Sequence, residues 1–203
     1  MTRSESLLAQ HRRIERAVAL IQLGARMQVL DAETPLPHER LLRLYREVAR
    51  RPPSKGQLPF SADWFLTWQN NIHASLFHAI FSWVSKASDV DPVDALIKAY
   101  GLYLEQSVVC GIDPLLSITR AWSLVRFMEG QLLAVTRCSR CGAHTVTLPF
   151  ENARHFVCGL CAPPARAGKS AAAGKLRLQA PRQQDPAACA AAIPPLRNYT
   201  SSQ

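Results

Sequence analysis

Four of the six cysteines in this chain fall into two Cys-x-x-Cys pairs, Cys138-Ser139-Arg140-Cys141 and Cys158-Gly159-Leu160-Cys161. At that spacing a tight turn aims two sulfurs at one ion, and the 16 residues between the pairs suit a structural four-thiolate module. The chemistry this predicts is zinc coordination, one ion per chain, by Cys138, Cys141, Cys158 and Cys161. Four thiolates close a tetrahedral shell and leave no position for water or substrate, so such a metal organises a fold and does not catalyse. The segment from Thr136 to Pro163 is too short to bury a core of its own, and metal binding has to replace burial. Gly142 and Gly159 suit the tight backbone of the two knuckles. Residues His144 to Leu148 alternate polar and apolar, as a strand does, and Arg154 to Val157 are the expected partner strand of a small zinc ribbon.

Other chemistry for these residues is weaker. A thioredoxin-type redox pair belongs in a βαβ context that this sequence lacks. With four cysteines already at ligand spacing, His144 and His155 are expected to be surface or strand-packing residues. Cys110 reads as a small buried hydrophobe and Cys189 as an incidental residue of the C-terminal tail. His73 and His78 are five apart, on different sides of a helix, and make poor metal partners. There is no phosphate-cradling glycine loop, no nucleophile elbow and no His-Glu-x-x-His, so the sequence does not read as an enzyme.

The elements that must position the cysteines are helical. Ile14, Val18, Ile21, Ala25 and Val29 recur at three- and four-residue steps, predicting one long helix from about Ser6 to Leu30. A second helix is expected to open near Pro37, bury Leu41, Leu44, Tyr45 and Val48, and end at Arg51-Pro52-Pro53. Arg40, Arg43, Arg46 and Arg50 fall on its other faces, with Arg51 and Lys55 just beyond; helix, short turn and arginine-bearing helix give the outline of a helix-turn-helix. Ser54 to Phe60 read as a loop. Ser61-Ala62-Asp63-Trp64 predicts the start of a helix whose stripe Trp64, Trp68, Ile72, Leu76 and Trp83 is core. Asp91-Pro92 and Asp113-Pro114 each set a capping carboxylate before a first-turn proline, predicting two more helices. The second of these is expected to run from Pro114 to about Val135 and lead almost directly into the first knuckle, mounting the ribbon rigidly.

The chain has 203 residues, 48% of them hydrophobic, a formal charge of +9 and a pI near 9.7. That length holds one core and a small appendage. No membrane span is expected, and charged residues through the first 20 positions rule out a secretory leader; four free thiolates point to a reducing cytoplasm. The excess of Lys and Arg points to a polyanionic partner, with nucleic acid foremost. After Cys161 the sequence turns to alanine and proline, and from Arg166 on it carries six basic residues against one acid, Asp185. This tail is expected to be disordered, either as a solvated segment or as a basic arm lying on phosphate. The resulting division is a helical body over 1–135, a four-cysteine segment over 136–165 and a tail over 166–203. Candidate DNA-contacting residues are Arg40, Arg43, Arg46, Arg50, Arg51, Lys55, Arg140, Arg166 and Lys169.

Longer blocks carry a more specific signal. Gly24-Ala25-Arg26 with Tyr45, Leu58 to Phe65 (LPFSADWF), Asn71 to Ser75 (NIHAS), Ile97 to Tyr100 (IKAY), Leu102 to Gln106 (LYLEQ) and Thr119 to Phe127 (TRAWSLVRF) resemble the FlhC family of flagellar transcriptional activators. The resemblance runs from about Ile14 to Arg166 and sets Cys138, Cys141, Cys158 and Cys161 where the family places its zinc ligands. It implies a DNA-binding subunit that joins FlhD in a hexamer of four D and two C subunits, binds flagellar promoters and activates bacterial RNA polymerase. The alternative left by the residues alone is a zinc-ribbon adaptor for protein or structured RNA, with a thiol redox switch third.

Overall fold

The structure is a computed structural model and describes residues 6–87, 90–152, 154–165 and 167. Six helices precede a two-stranded sheet: α1 Leu7–Gln22, α2 Met27–Glu33, α3 His38–Ala49, α4 Trp68–Ala87, α5 Pro92–Val109 and α6 Ile118–Glu129, then β1 Ala134–Arg137 and β2 His144–Thr147. The chain is mainly helical, with the four-cysteine cluster near its C-terminal side.

The apolar period from Ile14 to Val29 continues through a break, so the single helix expected over Ser6 to Leu30 is two. Gly24 takes φ +80°, and the N–H groups of Gly24 and Ala25 donate to the carbonyls of Ile21 and Leu20. This pair of bonds is a Schellman C-cap, which stops α1 and turns the chain into α2. The same device ends α5 at Gly111 (φ +63°) and α6 at Gln131 (φ +55°). The α6 stop corrects the expected run to Val135. After the turn the chain extends into β1, and a strand lies between α6 and the first knuckle.

The expected start at Asp113-Pro114 is also displaced. Leu116 N–H donates to Tyr103 Oη at 3.2 Å, and Tyr100 Oη donates to the Leu116 carbonyl at 3.0 Å. Two tyrosines of α5 thus hold this stretch out of helical geometry, and Ser117 becomes the N-cap, its Oγ accepting from Arg120 N–H at 3.3 Å. Asp91 behaves as predicted, its carboxylate accepting from Val93 N–H at 3.0 Å with Pro92 in the first turn. Ser61 accepts from Asp63 N–H at 3.2 Å, but the result is only a 3-10 turn, Asp63–Leu66. Side chains of Asn70 and Asn71 take the Trp64 and Phe65 carbonyls at 3.0 and 2.9 Å, and α4 opens at Trp68.

The centre of the body is the α4–α5 pair, with α1 against α3 and α5, and α6 against α4 and α5. Leu20, Leu30, Leu41, Tyr45, Phe65, Phe77, Tyr103 and Leu124 are fully enclosed. Phe77, Tyr100 and Tyr103 meet with ring centroids 5.8–6.5 Å apart. The expected tryptophan stripe is only the margin of that core: the buried positions of α4 are His73, Ala74, Phe77 and Val84, whereas Trp64, Trp68, Ile72 and Leu76 are half-buried, with Trp64 and Leu76 packed against the core, and Trp83 is exposed. Cys110 is half-buried, with Gln106 Nε2 3.3 Å from its sulfur, and so stands outside the core in which it was expected. Across the α2–α6 contact Glu33 accepts from Trp122 Nε1 and Arg126. The chain from α2 through Thr34–Pro37 to α3 has the helix, short turn and arginine-bearing helix outline, with Pro37 as the N-cap of α3.

No helix of the described residues is long and apolar enough to cross a membrane.

Candidate metal centre and basic surface

The four cysteines converge. Their sulfurs all lie within 4.8 Å of one another, and Cys141 Sγ is 3.7 Å from Cys158 Sγ. A tetrahedral shell with metal–sulfur bonds of about 2.3 Å requires sulfurs about 3.8 Å apart, so the donor set is compatible with zinc. Backbone groups shape each knuckle. In the first, Gly142 N–H donates to the Cys138 carbonyl and Cys138 N–H to the Ala143 carbonyl, both at 2.9 Å, with Gly142 at φ +73°. In the second, the N–H groups of Cys161 and Ala162 both donate to the Cys158 carbonyl at 3.0 Å. The knuckles are cross-linked: Cys158 N–H points at Cys138 Sγ at 3.3 Å, and Arg140 Nη1 donates to the Cys161 carbonyl at 3.2 Å.

The electrostatics of the cluster call for a cation. Backbone N–H groups of Cys141 and then Cys158 draw the Cys138 thiol down to about 6, whereas contact with Cys141 and Cys158 pushes Cys161 up to about 12. Four sulfurs this close cannot all ionise unless a positive ion offsets their repulsion. His144 and His155 are exposed and outside the cluster, as expected.

The ribbon is assembled differently from the expectation. β2 pairs antiparallel with β1, Val135 opposite Val146 and Thr136 opposite Thr145, and Arg154 to Val157 form no strand in the described residues. The Phe156 carbonyl instead accepts from Ser139 N–H at 2.8 Å and Ser139 Oγ at 2.9 Å, which commits that stretch to the first knuckle. The outer edge of β2 is bonded by α4. Asn71 Nδ2 donates to the Val146 carbonyl at 2.7 Å and Val146 N–H donates to Ser75 Oγ at 3.0 Å. Trp68 Nε1 donates to the Gly159 carbonyl at 2.8 Å, fixing the second knuckle to the start of α4. A Cβ at Gly159 would lie 2.8 Å from Trp68 Cδ1, so this glycine is required by the approach of an indole ring.

The spacing of the pairs picked out the four cysteines that converge but not these mounting residues. Asn71 and Ser75 are one helical turn apart on α4 and next to an apolar stripe, a spacing that selects one face but does not name the strand it meets.

The candidate DNA-contacting residues are scattered by comparison. Arg40, Arg43 and Arg46 are exposed on α3, Arg50 is its left-handed C-cap (φ +51°), and Arg51 and Lys55 are exposed beyond it. Arg140 is exposed on the first knuckle. Arg166 and Lys169 lie outside the described residues, as do Cys189 and the basic tail from 168 on.

A profile of the flagellar transcriptional activator FlhC matches residues 2–174. The chain is 60% identical over 176 residues to a flagellar transcriptional regulator FlhC of Verminephrobacter eiseniae, covering 87% of this chain and 95% of the relative. It is 44% identical over 191 residues to that of Paraburkholderia atlantica, covering 94% and 88%, and 47% identical over 166 residues to that of Yersinia enterocolitica, covering 81% and 86%. These are transcriptional regulators of flagellar genes and not enzymes, and with a match along most of its length this chain belongs to the FlhC family.

Proposed function

We propose that this chain is the DNA-contacting subunit of a heteromeric activator of flagellar operons, acting in the cytoplasm with an FlhD-type subunit, four D to two C. It binds promoter double-stranded DNA and engages RNA polymerase. The observation that carries the metal part of this reading is the convergence of four sulfurs within 4.8 Å on a module bonded to α4. One structural Zn2+ per chain, held by Cys138, Cys141, Cys158 and Cys161, supplies the positive charge that keeps the four thiolates ionised together. Residues 1–135 serve as the body, 136–165 as the metal-binding segment and 166–203 as a basic tail. Arg40, Arg43, Arg46, Arg50, Arg51, Lys55 and Arg140, all exposed, with Arg166 and Lys169, supply positive charge for phosphate.

A two-fold complex places two such surfaces on one duplex, and linked sites gain affinity through effective concentration. The test is a salt-titrated binding assay of the purified chain, with and without its FlhD-type partner, on a flagellar promoter fragment and on a scrambled duplex. Promoter-selective binding that requires the partner and disappears when zinc is stripped is the expected result. Equal binding to both duplexes in every condition refutes it and favours an adaptor for protein or structured RNA.

A further inference from the structure

The arginines that tie the helical body together have carboxylate partners. Arg16 donates to both oxygens of Asp94 at 2.8 Å and lies 3.2 Å from Asp91, and Arg126 is paired with Glu33 and Glu129. Arg26 and Arg120 are different. Both are half-buried, and neither has a carboxylate within ion-pair distance among the described residues.

Both are nevertheless held in place. Arg26 N–H donates to Thr119 Oγ1 at 3.2 Å, which sets the start of α2 beside the first turn of α6, and the Arg26 guanidinium donates to the Gln57 carbonyl. Arg120 sits over an aromatic face, its Cζ 3.9 Å from the ring centroid of Trp64. The loop that supplies the Gln57 carbonyl is fixed in turn. Gln28 Nε2 donates to the Gly56 carbonyl at 2.9 Å, and Gly56 takes φ +116°, a conformation that favours glycine. Burial first, and the charge of Arg26 second, lower the pKa of Arg120. Two fixed, partly desolvated guanidiniums of like charge raise the energy of the folded chain unless an anion joins them.

Guanidinium forks match phosphate oxygens, and both side chains are pre-organised by their contacts. Lys55 is exposed on the same loop, which continues directly from the exposed Arg50 and Arg51 at the end of α3. We propose that Arg26 and Arg120, with Lys55 at the rim, clamp one phosphodiester group of the DNA backbone at the junction of α2, α6 and the 54–60 loop. The clamp rests on the reading of this chain as a DNA-binding subunit and assigns to it a contact that none of the α3 arginines makes. It positions the duplex and reads no base.

The test uses the full chain in complex with its FlhD-type partner, on promoter DNA, with Arg26→Gln, Arg120→Gln, the double variant and Arg120→Lys. Neutralising one phosphate contributes about 0.9 to the slope of log K against log salt, which is about fivefold in affinity near 0.15 M salt. The double variant is expected to lose that slope and at least about fivefold in affinity, the second substitution costing less than the first because both act on one phosphate. Arg120→Lys keeps the charge and is expected to retain most of the slope while losing affinity. Thermal unfolding of the variants at or above the parent temperature excludes a folding defect as the cause. Promoter binding by the unsubstituted complex with a double variant equal in affinity and slope overturns the clamp alone. Additive losses with a slope change of about 1.8 overturn it too, since they mean two separate phosphates. An unsubstituted complex that does not bind promoter DNA overturns the DNA reading beneath it.

Discussion

Substituting Gly159 with alanine isolates the coupling between the metal segment and the helical body. The added Cβ would lie 2.8 Å from Trp68 Cδ1 and 3.2 Å from Nε1, and Gly159 is not among the glycines with positive φ, so the cost is collision with the indole and not backbone strain. Either the ring or the knuckle has to move, and the 2.8 Å bond from Trp68 Nε1 to the Gly159 carbonyl is lost with it. Overpacking of this kind costs about 1–3 kcal/mol and the hydrogen bond about 1 kcal/mol, giving about 2–4 kcal/mol in all. With the structural ion proposed above, the loss falls on metal affinity, which is expected to drop between about thirtyfold and several hundredfold. Competition against a chelator of known affinity measures it, with thermal unfolding in parallel. Trp68→Phe provides the control: a smaller ring relieves the collision, so Gly159→Ala in that background is expected to cost distinctly less than in the parent chain. Parent-like metal affinity in the single variant, or fully additive losses in the double, would refute the reasoning.

Other outcomes follow from the same geometry. Cys138→Ala or Cys158→Ala is expected to abolish zinc binding and promoter binding together, and a zinc-free variant with normal DNA affinity breaks that link. Removing charge at Arg40, Arg43 and Arg46 is expected to weaken DNA binding and flatten its salt dependence, whereas an unchanged slope moves that surface elsewhere. Burial lowers the pKa of His73 and of His78, so between the folded values and 6.5 the unfolded chain binds more protons. Stability is therefore intact above about pH 6.5 and falls as pH drops below it; His73→Gln should shrink that fall in denaturant titrations at pH 7 and pH 5.5. Gly24→Ala forces an L side chain to φ +80° and is expected to cost about 1–2 kcal/mol in the same titrations.

The helical body was legible because period and caps are local signals, and Asp91-Pro92 starts α5 where its chemistry says. The errors sit where distant side chains override a local rule. Asp113-Pro114 has the same signature, yet Tyr100 and Tyr103 hold Leu116 and postpone α6 to Ile118. At the end of α6 it is Gln131 and not the neighbouring Gly130 that takes the left-handed conformation, so the glycine marks the wrong residue. At the candidate metal centre the convergence of the four cysteines was legible from spacing alone. The strand that completes the ribbon was not, because β1 draws on residues before the first knuckle and the segment after β2 is taken by Ser139. His73 reads in sequence as an isolated polar residue. In the fold it is buried, its Nδ1 sharing a 2.8 Å hydrogen bond with Tyr103 Oη, which also accepts from Leu116 N–H.

The edge of β2 bears on what loss of the proposed ion would do to the chain. Asn71 and Ser75 occupy the backbone groups of Val146 that would otherwise face outward. A chain that sheds its ion and lets the ribbon lift from α4 uncovers a strand with an open row of donors and acceptors, next to the exposed Leu148 and Phe150. Such an edge templates pairing with the next copy. If the proposed zinc site holds, loss of the ion is therefore expected to make the chain self-adhesive.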